Sequence, residues 1–410
     1  MKVTSSSLFS IMLMVLVASI SASPILIGDT TICSSIVKAD LESQADQDMS
    51  FECGLNYVSN SHRFYQNDSV TSNDFMSFSE YNVTHLSIHI VWKSFDVDYV
   101  NLIANFHRLL NVADSTGMKV QFDFWTRFSP DGTWTMPNGI SPWDIIRVPS
   151  VTADWLDFVS NVTNEFKSHT SIESWTMMNE PYAQKGTNDD ELFYQCWRDQ
   201  REIMRSLDSR PLSIRLALGD SPWSGDFNRT EVFQVCDYIA ITNYLDPRNN
   251  SDTRWGGNWT QFYNCVSECK SRSVPLVIAE FGMNTSTLED RAIYYNRSIC
   301  LFKSRGIEKA YAFCWQTVYP EYASFNIYGY NPVTPMFSEL VAAQNTLFVL
   351  GDIDCNSQVD LQDLILIAQA YGSCPGHEEW NAYADIDANC VVGITDLFTL
   401  ARNYEHQSAG

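Results

Sequence analysis

The sequence predicts an α/β protein: a closed barrel of eight parallel strands alternating with helices, followed by a small all-α module built on acidic loops. Three observations lead there. From Glu52 onward, eight short apolar runs alternate with amphipathic stretches, the mark of repeated βα units. Two of these runs end in a lone glutamate, in Ser174-Trp175-Thr176-Met177-Met178-Asn179-Glu180-Pro181-Tyr182 and in Val277-Ile278-Ala279-Glu280-Phe281-Gly282. After Leu350 the pattern gives way to an acidic tandem repeat with an offset of 33 residues.

The expected strands are Glu52 to Tyr57, Leu86 to Trp92, Lys119 to Trp125, Ile172 to Met178, Leu212 to Leu218, Tyr238 to Asn243, Leu276 to Ala279 and Ala310 to Trp315. Continuous apolar runs suit strands buried on both faces by flanking helices. Between them, Trp155, Phe158, Val159, Val162 and Phe166 recur at helical spacing and form one apolar face. Leu192, Phe193, Cys196 and Trp197 begin another.

A chain of 410 residues has room for two or three domains. Its 49 acidic against 26 basic residues give a formal charge of −23, which argues against nucleic acid or an anionic membrane as a partner. Aromatic residues make up 13% of the chain, leaving rings to spare for surfaces that grip sugars. Lys2, a mostly apolar stretch from Leu8 to Ile20 and the small residues Ser21, Ala22 and Ser23 form a secretory-signal pattern. The expected layout is a signal peptide over 1–23, a linker over 24–49, the barrel over 50–347 and the C-terminal module over 350–406.

Sequons begin at Asn67, Asn82, Asn161, Asn228, Asn249, Asn258, Asn284 and Asn296, a density compatible with surface glycosylation of an exported chain. Eleven cysteines suggest disulfides, the odd count leaving at least one unpaired within the chain. Cys265 and Cys269, one helical turn apart, are expected to pair elsewhere if they pair at all. The connectivity is not readable from spacing.

A glutamate that follows a core strand must be solvated, paired or used. Glu180 and Glu280 stand 100 residues apart, a spacing that suits three intervening βα units. In a barrel of this kind the working face lies where strands end, which directs attention to Asn56, Trp92, Trp125, Glu180, Tyr244, Glu280 and Trp315. The Asn179-Glu180 pair and the later Glu280-Phe281-Gly282 together resemble the acid/base and nucleophile motifs of the glycoside hydrolase clan built on (β/α)8, or TIM, barrels, closest to the family 5 cellulases and mannanases.

The resemblance covers the barrel and implies a retaining enzyme acting on a β-linked glucan, mannan or similar glycan, and the N-terminal signal pattern adds the expectation that it is secreted. It implies Glu280 as nucleophile and Glu180 as acid and then base. It also implies Asn179 on the sugar 2-hydroxyl, Tyr244 on the nucleophile and Trp315 as a floor under the sugar; Trp125, at a strand end on the working face, is expected as a further substrate contact. The chain departs from the family pattern in three places. The second strand, Leu86-Ser87-Ile88-His89-Ile90, lacks the usual arginine; Trp125 stands where a histidine often ends the third strand; and Thr242-Asn243-Tyr244 lacks the histidine two before the tyrosine. A catalytically inactive carbohydrate-binding barrel is the alternative reading.

Two loops carry aromatic rings among Gly and Pro or other tyrosines: Phe128 to Val148, with Trp134 and Trp143, and Tyr319 to Tyr330. Such rings either stack on pyranose faces or pin the loops to the barrel.

The tail repeats Asp352-Ile353-Asp354-Cys355-Asn356 through Asp363 as Asp385-Ile386-Asp387-Ala388-Asn389 through Asp396. Oxygen side chains at loop positions 1, 3, 5 and 12, with a carbonyl at 7, make an oxygen cage for calcium. Asp352, Asp354, Asn356, Asp360 and Asp363, then Asp385, Asp387, Asn389 and Asp396, are the expected ligands. Each loop leads into an apolar-faced helix, Leu364 to Tyr371 and Leu397 to Tyr404. This tail resembles a type I dockerin module, which implies two structural Ca2+ sites and a cohesin-type protein partner. Position 6, usually glycine, is Ser357 or Cys390. A calcium-dependent structural or adhesion protein would explain the tail but not the barrel motifs.

Overall fold

A computed structural model describes residues 51–57, 74, 78, 83–128, 135–182, 184, 187–247, 257–283, 288–314 and 349–404. The expected signal and linker, Trp134, Trp315 and the stretch 319–330 lie outside the described residues.

Eight parallel strands close into a barrel in chain order: β1 (Glu52–Tyr57), β2 (His85–Ile90), β3 (Lys119–Phe124), β4 (Ile172–Asn179), β5 (Leu212–Ala217), β6 (Ile239–Thr242), β7 (Leu276–Phe281) and β8 (Lys309–Ala312). Closure pairs Gly54 of β1 with Tyr311 of β8. A Cβ on Gly54 would lie 2.6 Å from the Tyr311 ring and 2.7 Å from the His85 carbonyl oxygen, so only glycine lets β1 pass between that ring and the β2 backbone.

The outer helices are α1 (Trp92–Thr116), α2 (Asp144–Arg147), α3 (Pro149–Phe166), α4 (Asp189–Leu207), α5 (Arg229–Val235), α6 (Trp259–Arg272) and α7 (Leu288–Ser304). The predicted stripe Trp155, Phe158, Val159, Val162 and Phe166 is the buried face of α3. Its rings meet Phe122, Phe124 and Phe106 beneath it. Each such ring removed from water stabilises the fold by about 1.5–3 kcal/mol.

All eight expected strands are present, their ends displaced by a few residues, and one displacement matters. Trp92 does not end a strand: β2 stops at Ile90, extended Val91 caps α1, and Trp92 begins that helix. Its ring packs 5.6 Å from Trp155 and 5.7 Å from Phe158, so burial under α3 rather than exposure at the barrel mouth sets its place. Trp143 is likewise packed, its indole N–H reaching the Tyr182 carbonyl at 3.4 Å and its ring meeting Phe128 edge-on, so it pins its loop to the barrel.

At the N-terminal end of the strands a cavity of about 560 Å³ includes Glu52, Gln121, Glu173, Tyr238, Lys309 and Tyr311 in its wall. Lys309 bridges Glu52 at 2.8 Å and Glu173 at 2.7 Å, and the Tyr311 hydroxyl donates to Glu173 at 2.8 Å. That end of such a barrel is the stability face.

The tail contributes α8 (Leu361–Ala370) and α9 (Ile394–Asn403). It docks on the barrel through arginines of α7 and the turn after it. Arg305, buried and stacked on Tyr263, donates to the carbonyls of Ala382 at 2.7 Å, Asp385 at 2.6 Å and Ile386 at 3.1 Å. Arg297 donates to the Ile353 carbonyl at 2.8 Å. Guanidinium groups satisfy several loop carbonyls at once because their donors form a rigid fan.

Candidate active site

The two glutamates come from β4 and β7, with β5 and β6 between them, and meet at the C-terminal mouth of the barrel. β4 ends at Asn179, and Glu180 follows with φ +42, a left-handed conformation uncommon for a non-glycine residue. Its backbone N–H donates to the Arg215 carbonyl at 2.7 Å, which holds the turn. Glu280 is the penultimate residue of β7 and is buried. Thr242 ties the two together: its backbone is in register with Glu280, and its hydroxyl donates to Glu180 Oε1 at 2.9 Å.

Each oxygen of Glu280 has its own donor. The Tyr244 hydroxyl donates to Oε2 at 2.6 Å, and Arg215 Nη1 donates to Oε1 at 2.5 Å. Arg215 comes from the middle of β5, fully buried, and also reaches the Ser87 hydroxyl at 2.6 Å, Asn56 Oδ1 at 3.3 Å and His89 Nε2 at 3.2 Å. Asn56 is held in turn by the carbonyls of Ala279 at 2.9 Å and Tyr311 at 3.3 Å.

The arginine missing from the second strand is therefore supplied by the fifth, while β2 contributes Ser87 and His89 as its acceptors. Burial and the neighbouring Arg215 charge hold His89 well below its ordinary pKa, so it remains a neutral acceptor.

One guanidinium faces three carboxylates. Asp123 of β3 lies 3.4 Å from Arg215 and 3.5 Å from His89 and is pushed up to about 7, first by burial and then by the Glu280 charge. Glu180 is also raised to about 7, again by burial first and the Glu280 charge second. With the guanidinium in direct contact with Glu280, the other two carboxyls hold protons near neutrality.

Asn179 closes the ring on the far side. In the amide orientation that satisfies both neighbours, its nitrogen donates to Asp123 at 3.2 Å and its oxygen accepts from Trp125 Nε1 at 2.7 Å. Trp125 stacks on His89 with ring centres 4.6 Å apart and is only partly buried, which leaves ring area at the mouth.

Glu180, Glu280, Asn179, Tyr244 and Trp125 thus gather at one end of the barrel, and Trp315 lies outside the described residues. Sequence reasoning missed Arg215, Asp123, Thr242 and the acceptor role of Ser87 and His89. The available signal was an arginine inside the apolar run Leu212–Ala217, a position that demands a buried partner.

The tail gathers carboxylates differently. Those of Asp352, Asp354 and Asp363 lie within 4.8 Å of one another, as do those of Asp385, Asp387 and Asp396. In both loops the first aspartate accepts two backbone N–H groups, from Asn356 and Ser357 or from Asn389 and Cys390. Positions 4 and 6 take left-handed φ in each loop: Cys355 at +57, Ser357 at +71, Ala388 at +59 and Cys390 at +68. The absent glycine is tolerated because the ring of N–H donors holds the turn.

Burial pushes Asp352 up to about 7 and Asp385 to about 8. Asp360 does not join its cluster but caps α8 through the Gln362 N–H at 2.7 Å. The Asn356 and Asn389 amide oxygens accept from Gln358 and Val391 N–H groups. An all-oxygen, triply anionic donor set fits a hard divalent cation.

No protein-family profile matches the sequence, and no curated protein does. Solved structures share the fold. GH5_18 from Streptomyces cattleya, solved with GlcNAc, superposes with a TM-score of 0.61 at 14% identity over 87% of this chain and 97% of its own. The endo-beta-1,4-mannanase from Thermotoga petrophila gives 0.55 at 14% identity over 74% and 77%. The endo-1,4-beta-mannanase from Rhizomucor miehei gives 0.55 at 13% over 72% and 95%. At these identities the likeness establishes the architecture: the closed eight-stranded barrel with its surrounding helices is a (β/α)8 barrel.

Proposed function

We propose that this protein is a secreted retaining glycoside hydrolase acting on a β-linked polysaccharide or oligosaccharide of the glucan or mannan type. The observation that carries the reading is the division of labour between the two mouth glutamates. Arg215 and Tyr244 occupy both oxygens of Glu280 and hold it oriented, while burial and then the Glu280 charge raise Glu180 to about 7, which lets it carry a proton near neutral pH.

Glu280 attacks the anomeric carbon as Glu180 protonates the departing oxygen, giving a glycosyl ester and a free reducing end. Esterification removes the Glu280 charge that had raised Glu180, so Glu180 becomes a stronger acid and stays ionised to take a proton from water. Water then cleaves the ester with net retention. Asn179, fixed by Asp123 and Trp125, is placed beside the acid to bind a sugar hydroxyl, and Trp125 offers its ring to the sugar face.

Several structural neighbours are mannanases, which puts β-1,4-mannans first in a panel with β-glucans and xylans. Proton NMR of the first product should show the β-anomer before mutarotation. An α-anomer would exclude double displacement, and binding without cleavage across the panel would favour the carbohydrate-binding barrel.

For the tail, we read two structural calcium sites, held by Asp352, Asp354 and Asp363 and by Asp385, Asp387 and Asp396, with Asn356 and Asn389 at the fifth loop positions. The cation would neutralise each cluster and lock its loop. A dockerin-like role with a cohesin-type partner is the corresponding reading, tested by calcium-dependent capture on immobilised cohesin domains.

A further inference from the structure

We propose that Cys300 and Cys355 form a disulfide that staples the first acidic loop of the tail to the barrel. Cys300 lies on α7 and Cys355 between Asp354 and Asn356, so the bond would join segments 55 residues apart. The two side chains are neighbours across the barrel–tail interface: Arg297, which reaches Cys355 Sγ at 3.6 Å, stands one turn before Cys300 on α7.

Neighbouring contacts hold both segments in that position. Arg297, one turn before Cys300, donates to the Ile353 carbonyl at 2.8 Å and to Cys355 Sγ at 3.6 Å. The Tyr383 hydroxyl bonds the Arg297 carbonyl, and the Arg297 guanidinium lies 5.5 Å from the Tyr383 ring centre. Asn296, on the same helical face, contacts Cys300 Sγ at 3.6 Å.

Cys265 and Cys269 are also neighbours, but both lie on α6 one turn apart, where their Cα–Cβ bonds run parallel along the helix instead of facing each other. Cys300 and Cys355 come from separate backbones.

The bond forms by exchange with a low-molecular-weight disulfide, the class of oxidant found in exported compartments. Cys355, the more exposed of the two, attacks the external disulfide as its thiolate; one small thiolate leaves and a mixed disulfide remains. Cys300, deprotonated, attacks the Cys355 sulfur and expels the second small thiolate. The two protons lost by the protein end on the two small thiols, and the external disulfide takes up the two electrons.

Cyanogen bromide gives a direct test, because methionines stand at 283 and 336 and none follows. Cleavage therefore puts Cys300 and Cys314 in fragment 284–336, and Cys355, Cys374 and Cys390 in fragment 337–410. The full chain is equilibrated natively with oxidised and reduced glutathione, alkylated and then cleaved.

We expect the two fragments to remain joined until dithiothreitol separates them, with a loss of two alkylatable thiols. In the Cys300→Ser and Cys355→Ser variants they should separate without reductant. Wild-type fragments that separate without reductant, each carrying an alkylated Cys300 or Cys355, would overturn the proposal. So would fragments that stay joined in Cys300→Ser. The wild-type arm decides the matter even if a serine variant fails to fold.

Discussion

The barrel mouth and the tail loops face the same electrostatic problem and solve it in opposite ways. Each collects three carboxylates in a confined space. At the mouth the compensating cation is part of the chain: Arg215 reaches Glu280 at 2.5 Å and Asp123 at 3.4 Å. In the tail, among the described residues, no lysine or arginine forms an ion pair with the six clustered aspartates, and backbone N–H groups do the orienting. A covalently supplied cation makes a site that is prepared whenever the chain is folded. A site that relies on a dissolved ion, as proposed for the tail, is strong or weak according to the concentration of that ion.

The largest effect should come from the mouth glutamate that owns the arginine. Glu280→Gln should lower kcat by about 10⁴-fold or more while leaving the fold, as removal of a nucleophile does. Near-normal turnover on every substrate the wild type cleaves would dissolve the distinction between Glu280 and the other carboxylates.

Arg215→Met tests the internal cation itself. It strands Glu280 and leaves Ser87 and Asn56 without their donor, so denaturant unfolding should show a loss of about 3–5 kcal/mol. An unchanged midpoint would mean that Arg215 contributes nothing to the balance of charge.

Chelation tests the external cation. Removing free calcium from one hundred times its Kd should cost about 2.7 kcal/mol per site. The loss should be seen as a lower unfolding midpoint in the fluorescence of Trp380, which is buried in the tail. Hydrolysis at temperatures below that midpoint should be unchanged. If chelation left the tail transition where it was, the two regions would not differ as described.

The pH profile sharpens the comparison within the mouth. As the proposed acid, Glu180 would donate only while protonated, and its pKa is raised to about 7, so kcat/KM should be held below that pH and fall as pH rises through it. The loss should be about tenfold per pH unit beyond the midpoint. In Glu280→Gln the neighbouring charge is gone, so the Glu180 carboxyl resonance should titrate at lower pH than in the wild type.

The barrel was legible because its signals are local. Apolar runs between amphipathic stretches mark strands whatever surrounds them, and Glu180 and Glu280 declare themselves by following such runs. The same holds for the duplicated loops, whose aspartates recur at fixed spacing. Trp92 was misplaced because the pattern does not say whether an apolar residue after a strand continues it or begins a helix. Burial against Trp155 and Phe158 decided that. Trp143 is similar: a ring on a Gly/Pro-rich loop reads alike whether it faces sugar or core.

Arg215 shows the limit most clearly. Its partners Ser87, Asn56, His89, Asp123 and Glu280 lie on four other strands, between 65 and 159 residues away. Spacing along the chain carries no trace of such an encounter, because barrel closure brings the strand interiors together. In the tail, left-handed Ser357 and Cys390 could not be read from their residue types, since the N–H ring that holds them exists only once the loop is folded.

By itself, then, the sequence determined the number and order of the strands, the two glutamates at strand ends and the duplicated acidic loops, since each depends on residues near one another in the chain. Tertiary structure alone decided which cation faces Glu280, which carboxyls keep their protons, and how the tail seats on α6 and α7. Those outcomes depend on distances across the barrel and across the interface, and electrostatic energy follows distance in space rather than separation in sequence.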